Sequence, residues 1–144
     1  EFPQTPGLYA PLILRTDRQR VDSIGGFLRS GGKLFHCKEV AEFNQKLDPA
    51  TQASVPQDLP YVPGTAFLTH RDVHAQFGYF DESLHTYWED VDFSIRVFKG
   101  QGRIQPLTSL TLAHKGGRTC KKDPFYTNHL FKRNRETICT RYSV

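Results

Sequence analysis

Tyr87-Trp88-Glu89-Asp90-Val91-Asp92 sets three carboxylates and the chain's only tryptophan within six residues, just ahead of an amphipathic run. Val91, Ile95 and Phe98 follow at i, i+4 and i+7, and Gly100 closes the pattern, so a helix is predicted to open at Asp90. Upstream, Gly64-Thr65-Ala66-Phe67-Leu68-Thr69 is a near-continuous apolar run. It predicts a buried, central strand over 64–69 with the helix packed against it. Between them, Val73 and Phe77 stand at i, i+4 ahead of Gly78, the pattern of a short helix over 71–77 ended by glycine. Downstream, 103–104 and 107–113 read as short strands, the second running into His114-Lys115-Gly116-Gly117. Acid, aromatic, glycine and histidine thus arrive from neighbouring elements, as polar chemistry on a buried scaffold requires.

Working outward, 8–14 reads as a strand, and Ser23-Ile24-Gly25-Gly26 and Gly31-Gly32 supply turns around a short extended piece. A short helix is predicted over 40–47. From 48 to 60 the chain is polar and carries Pro49, Pro56 and Pro60, which predicts a mobile loop. The last element is a helix over 125–142 begun near Pro124, with Leu130, Phe131, Ile138 and Tyr142 as its apolar members. The predicted class is α/β, a mixed sheet flanked by helices, in a single domain over 1–144.

With 144 residues, 38% of them hydrophobic and 24% charged, the chain suits one domain with a real core and is not a disordered chain. No apolar run approaches the roughly 18 residues needed to cross a bilayer. The start lacks the pattern of a secretory signal, and with no methionine anywhere Glu1 is not expected to be a native start, so truncation is the simplest reading. Cys37, Cys120 and Cys139 are odd in number and irregular in spacing, which fits reduced thiols in a cytoplasmic protein better than a disulfide framework or a zinc site. The net charge of +4 is concentrated between Arg103 and Arg141. Such a tail can face phosphates or serve as a solvated helix face; it lacks aromatic interleaving, and no nucleic-acid partner is expected.

Asp90 is the sharpest chemical candidate. A carboxylate at a helix N-terminus is favoured in its charged form by the helix dipole, and can take a proton from a bound hydroxyl. The bland alternative is a plain N-cap. Asp92 has Arg96 at i+4, so an ion pair explains it. Glu89 can bind hydroxyls or orient Asp90, and Trp88 beside these acids suits the C–H face of a sugar or a loop anchor. His114, at a strand end, can present a ring nitrogen to a metal or a phosphate, or hydrogen-bond structurally. Lys115-Gly116-Gly117-Arg118-Thr119 is a basic, flexible loop that could close over a diphosphate, although its glycines lack a phosphate-binding spacing.

Taken together these residues resemble the C-terminal half of the family 2 glycosyltransferases, inverting enzymes with a GT-A (nucleotide-diphospho-sugar transferase) fold. The motifs that carry the resemblance are Pro63-Gly64-Thr65-Ala66-Phe67-Leu68, Phe77-Gly78-Tyr79-Phe80-Asp81-Glu82, Trp88 to Arg96, Gly100-Gln101-Gly102-Arg103, His114-Lys115-Gly116-Gly117 and the late Arg133-Asn134-Arg135-Glu136. The beginning, Ala10 to Leu14 and Ser23 to Gly26, looks like bacterial rhamnosyltransferase-like members. The resemblance is strong between Val62 and Thr119 and loose between Cys37 and Pro60. It implies Asp90 as catalytic base, Glu89 and Trp88 in the acceptor site, Gly64, Thr65, Lys115 and Arg118 toward the donor, and His114 toward a divalent metal, Mn or Mg.

The family's nucleotide-binding strands and acidic D-x-D-type metal motif are not in this sequence. By the resemblance the chain holds the acceptor half of a site in polysaccharide biosynthesis. It would be inactive alone, with the donor half and the other metal ligands supplied upstream or by another chain. The implied partners are a nucleotide-sugar, a glycan or lipid-linked acceptor, and a chain covering an exposed sheet edge, with cytoplasmic placement at the inner face of the membrane. Two rivals stand beside it. One is a catalytically silent module recognising glycan or protein through Trp88 and the long loop. The other is a metal-dependent hydrolase using Glu89, Asp90, Asp92 and His114.

Overall fold

A computed structural model describes residues 5–54, 58–116 and 123–144. Its centre is β1, Gly7–Arg15, whose residues Gly7 to Pro11 are all buried. Along one side β1 pairs in parallel with β7, Arg103–His114. On the other side two short antiparallel strands share its length: β6, Leu68–Thr69, against Leu8 and Tyr9, and β2, Val21–Ser23, against Ile13 and Leu14. The sheet is therefore mixed, and helices flank it. Gly7 is required by the close parallel approach, since a Cβ there would lie 2.8 Å from Arg103. The register against β7 jumps between Pro11, opposite Leu107, and Leu12, opposite Thr111. A proline in a central strand lacks a ladder donor, and an irregularity of this kind is where a sheet tolerates one.

The apolar run 64–69 is not the central strand. Only Leu68 and Thr69 join the sheet, while Gly64 and Thr65 are exposed in a turn. The reason lies in where the run's groups go. The Gly64 N–H is taken by the Asp90 carboxylate, and the Phe67 ring packs on Phe80 and Phe93. Nothing comparable diverts 7–15, which becomes the buried strand instead.

A second, antiparallel sheet is ordered β4–β3–β5, from Gly26–Arg29 (β3), Lys33–His36 (β4) and Leu59–Tyr61 (β5). Gly31 and Gly32 turn the β3–β4 hairpin with φ of 75° and 68°, a region that favours glycine. The stretch 48–60, expected as a mobile loop, contains helix α2, Pro49–Ser54, and strand β5; residues 55–57 lie outside the described residues. Asp48 Oδ1 accepts the Thr51 N–H and Pro49 opens the helix, a start signal that the absence of aliphatic periodicity obscured. Leu59 and Tyr61 are buried and hold β5 to the core.

Helix α1, Val40–Leu47, helix α3, Arg71–Phe77, and the long C-terminal helix α5, Pro124–Tyr142, fall where the sequence places them. A 3-10 turn, Glu82–Leu84, precedes α4, Glu89–Lys99. Helix α4 is buried on two faces: Phe93 and Val97 enter the core around Leu8 and Phe27, whereas Val91 and Ile95 enter the core around Leu28 and Ile138. Asp92 ties α4 to α5. Its fully buried carboxylate accepts from Arg96 Nε at 2.9 Å, Arg141 Nη1 at 2.6 Å and Tyr142 Oη at 2.8 Å. Arg141 also reaches Asp81, and Arg96 reaches the Phe77 and Tyr79 carbonyls. Among the described residues Cys37 and Cys139 are free, and no helix is long and apolar enough to cross a membrane.

Candidate functional site

The N-terminus of α4 is reached through a strained loop. His85, Tyr87 and Trp88 have φ of 58°, 66° and 74°, left-handed values that are costly for residues with a Cβ. Asn134, buried on α5, over-determines this loop. Its Nδ2 donates to the carbonyls of Leu84 at 2.7 Å, Thr86 at 3.0 Å and Tyr87 at 2.8 Å. Arg133 adds a bond to the Ser83 carbonyl and fixes the Asn134 amide through its Oδ1. The Arg133-Asn134 pair thereby sets the entry to α4.

Trp88 occupies the cap position of α4 without a side-chain cap bond. Asp90 lies one residue inside the helix and is not its N-cap, which corrects the plain capping alternative. Its Oδ1 accepts the Val91 N–H at 2.8 Å and its Oδ2 accepts the Gly64 N–H at 2.6 Å. A Cβ on Gly64 would stand 3.2 Å from the Asp90 Cβ, so glycine allows this approach. Burial pushes the Asp90 carboxyl above the usual aspartate range, and the backbone N–H of Gly64, with that of Val91, opposes the rise. The outcome is a half-buried carboxylate held in place by two N–H groups and more basic than a surface aspartate. Glu89 is likewise pushed up by burial and, behind it, by the charge of Asp90.

A cleft of about 290 Å³ opens over these groups. Asp90, Glu89, Trp88, Gly64 and Thr65, five of the residues selected from sequence, all line it. Trp88 is buried, 2% exposed, with its ring against Phe131, so it cannot serve as an open aromatic platform for a sugar. The Trp88 Nε1 and Glu89 Oε2 atoms are buried without a hydrogen-bond partner among the described residues. Opposite them stand His36 and Tyr61, whose Oη lies 3.1 Å from His36 Nδ1. Both side chains flank Gly26 in the second sheet, where a Cβ would come within 2.7 Å of the Tyr61 ring. Burial lowers the His36 pKa, against the opposing pull of the Asp22 and Asp90 carboxylates.

Comparison with protein-family models and with curated proteins yields no match for this chain.

His114 and Lys115 do not line the cleft. His114 Nδ1 lies 3.9 Å from Asp22 Oδ2, and Asp22 also pairs with Arg15 at 3.5 Å; Lys115 is exposed, and Arg118 lies outside the described residues. The same Asp22 also acts electrostatically on His36 of the cleft wall. Among the described residues no three His, Cys, Asp or Glu side chains converge to hold a metal ion. His114 with Asp22 offers two donors, which do not by themselves make a divalent-metal site. Asp92 is spent on Arg96, Arg141 and Tyr142, so the hydrolase that would have used it as a ligand loses that group.

Sequence reasoning missed His36, Tyr61 and Asp22, and it quoted Asn134 only within the late Arg133-Asn134 motif, with no role. The hairpin glycines Gly31-Gly32 and the alternation Leu59-Pro60-Tyr61 carry a signal for the first two, because the register places both beside Gly26. Asn134 is a lone polar residue at i+4 from Leu130 and i−4 from Ile138, hence on the buried face of α5, which a helical pattern could have exposed.

Proposed function

We propose that this chain is the acceptor-binding, base-supplying half of a nucleotide-sugar-dependent inverting glycosyltransferase, the C-terminal portion of a GT-A fold of family 2. The observation that carries the reading is the Asp90 carboxylate: raised in basicity, fixed by the Gly64 and Val91 N–H groups, and lining a cleft with Glu89. In the reaction Asp90 takes the proton of an acceptor hydroxyl while that oxygen attacks the anomeric carbon of the donor sugar. The bond from that carbon to the nucleoside diphosphate breaks on the opposite face, and the diphosphate leaves with the electron pair. Glu89 orients the acceptor, Gly64 keeps the base in position, and Thr65, which also lines the cleft, would contact the donor.

The donor half, upstream or on another chain, would bring the nucleotide, and on this reading His114 and Lys115 would meet it. The described residues do not assemble a metal site, so no step is routed through Mn or Mg; His114 would be one ligand and the rest would come from outside. Free sheet edges support such an arrangement: among the described residues β7 pairs only with β1, and β6 offers its outer side. We place the protein in the cytoplasm, at the inner face of the membrane, acting on a glycan or lipid-linked acceptor. The experiment is sugar transfer from a panel of nucleotide-sugars to glycan acceptors, with this chain alone and with it joined to a donor half. Transfer only in the joined protein supports the reading. Glycan binding without transfer in either form leaves a silent binding module in its place.

A further inference from the structure

We propose that the cleft admits a hydroxyl-rich ligand whose entering end carries no negative charge: a neutral or amino sugar, and not a uronic acid or a phosphorylated sugar. The inference rests on the acceptor-half reading and adds the charge class of the acceptor.

The wall of the cleft supplies Glu89 and Asp90, and no lysine or arginine among the described residues lines it. A carboxylate or phosphate entering there would meet two acids with no cation to compensate, in a partly desolvated space where like charges repel strongly. The remaining ionisable groups on the wall are His36 and the phenols of Tyr61 and Tyr87, and of these only the imidazole can carry positive charge. Burial favours the neutral imidazole of His36, so the wall lacks a standing positive charge.

The buried polar atoms make the same demand independently. Trp88 Nε1 is a donor only and Glu89 Oε2, when ionised, an acceptor only; neither has a partner among the described residues, and Trp88 is 2% exposed. Such groups are costly to leave orphaned. A hydroxyl suits either atom, since it can accept from an indole N–H or donate to a carboxylate. A carboxylate or phosphate ester could accept from the indole but would oppose Glu89. An ammonium suits Glu89 and Asp90. The volume of about 290 Å³ is at the small end for ligand pockets and fits a single sugar unit at the reacting end.

The test is ligand-observed NMR titration of the protein with methyl glucoside, methyl galactoside and methyl mannoside, each beside its 2-amino and its uronate counterpart. At least one neutral or amino glycoside should bind, with the uronate of the same stereochemistry at least about tenfold weaker at pH 7. Glu89→Gln should narrow that gap to about threefold or less, since it removes one of the two repelling charges and keeps the shape. A uronate that binds as tightly as its neutral counterpart, an unchanged gap in Glu89→Gln, or no binding by any of the glycosides would overturn the inference. Should the charge preference appear while the protein joined to a donor half transfers no sugar, the inference stands and the transferase reading falls.

Discussion

The Gly64 N–H donates to Asp90 Oδ2 at 2.6 Å, joining two residues 26 apart in the chain and fixing the carboxylate at the mouth of α4. One glycine thereby positions the group to which the chemistry is assigned. Gly64→Ala would place a Cβ within 3.2 Å of the Asp90 Cβ, and Asp90 must yield by a few tenths of an ångström. Turnover of the assembled enzyme is expected to fall about tenfold, because small displacements of a reacting group are costly. The melting temperature should change little, since Gly64 is exposed and no positive φ has to be abandoned. Steady-state kinetics beside a thermal melt separate the two effects. A large loss of stability with normal turnover would contradict this role for Gly64.

Asn134 controls the loop that delivers Trp88. Asn134→Ala strips the Leu84, Thr86 and Tyr87 carbonyls of their shared donor and is expected to cost about 2 kcal/mol. Because Trp88 is the only tryptophan, its emission reports the loop directly. The variant should show red-shifted emission under native conditions as the ring gains water. An unshifted spectrum would mean that the left-handed residues at 85, 87 and 88 are held by something else.

Asp92 is a structural acid. Asp92→Asn leaves Arg96 and Arg141 without their buried counter-charge and is expected to cost about 3 kcal/mol or more in chemical denaturation. Glycan binding measured at a temperature where the variant remains folded should persist. Loss of binding without loss of stability would return Asp92 to the site.

Glu89 gives the fold a pH dependence with a definite sign. Its carboxyl is raised in the folded protein by burial first and by Asp90 second. Between the unfolded value, about 4.3, and that higher folded value, the folded state binds more protons than the unfolded. Stability from this residue is therefore lost as pH rises through that window, and the loss is complete above it. Glu89→Gln should melt higher than wild type at pH 7, with the difference vanishing below about pH 4. Parallel melting curves for the two proteins across this range would show that Glu89 is not held in a disfavoured charged state.

Apart from α2, helices were the legible part of this fold. Val40–Leu47, Arg71–Phe77 and Pro124–Tyr142 announce themselves by periodicity, a following glycine or a leading proline. The strands were less so, since an apolar run does not say which run is central. That choice was made by tertiary contacts: Asp90 captures the Gly64 N–H and leaves β1 to hold the sheet. The acidic half of the site could be read locally because Trp88, Glu89 and Asp90 are consecutive. The facing wall could not, as His36 and Tyr61 meet only through the register of a second sheet. Of the two sequence readings of Trp88, sugar platform or loop anchor, its burial favours the anchor; the Phe131 ring against it comes from α5, 43 positions later.

The central claim is that Asp90 takes the acceptor proton, and Asp90→Asn in a protein joining this chain to its donor half tests it most directly. The amide keeps the size of the side chain but cannot accept the proton, and its NH2 must face one of the two N–H groups that now bind the carboxylate. A stability loss of about 1–2 kcal/mol is therefore expected alongside the chemical effect. The measurement is kcat beside donor nucleotide-sugar affinity, taken well below the melting temperature of the variant. The account predicts that kcat falls by at least about a hundredfold with donor affinity within about twofold of wild type. Near-normal kcat, or a loss of kcat that merely tracks the fraction unfolded, would show that Asp90 braces the start of α4 and is not the base.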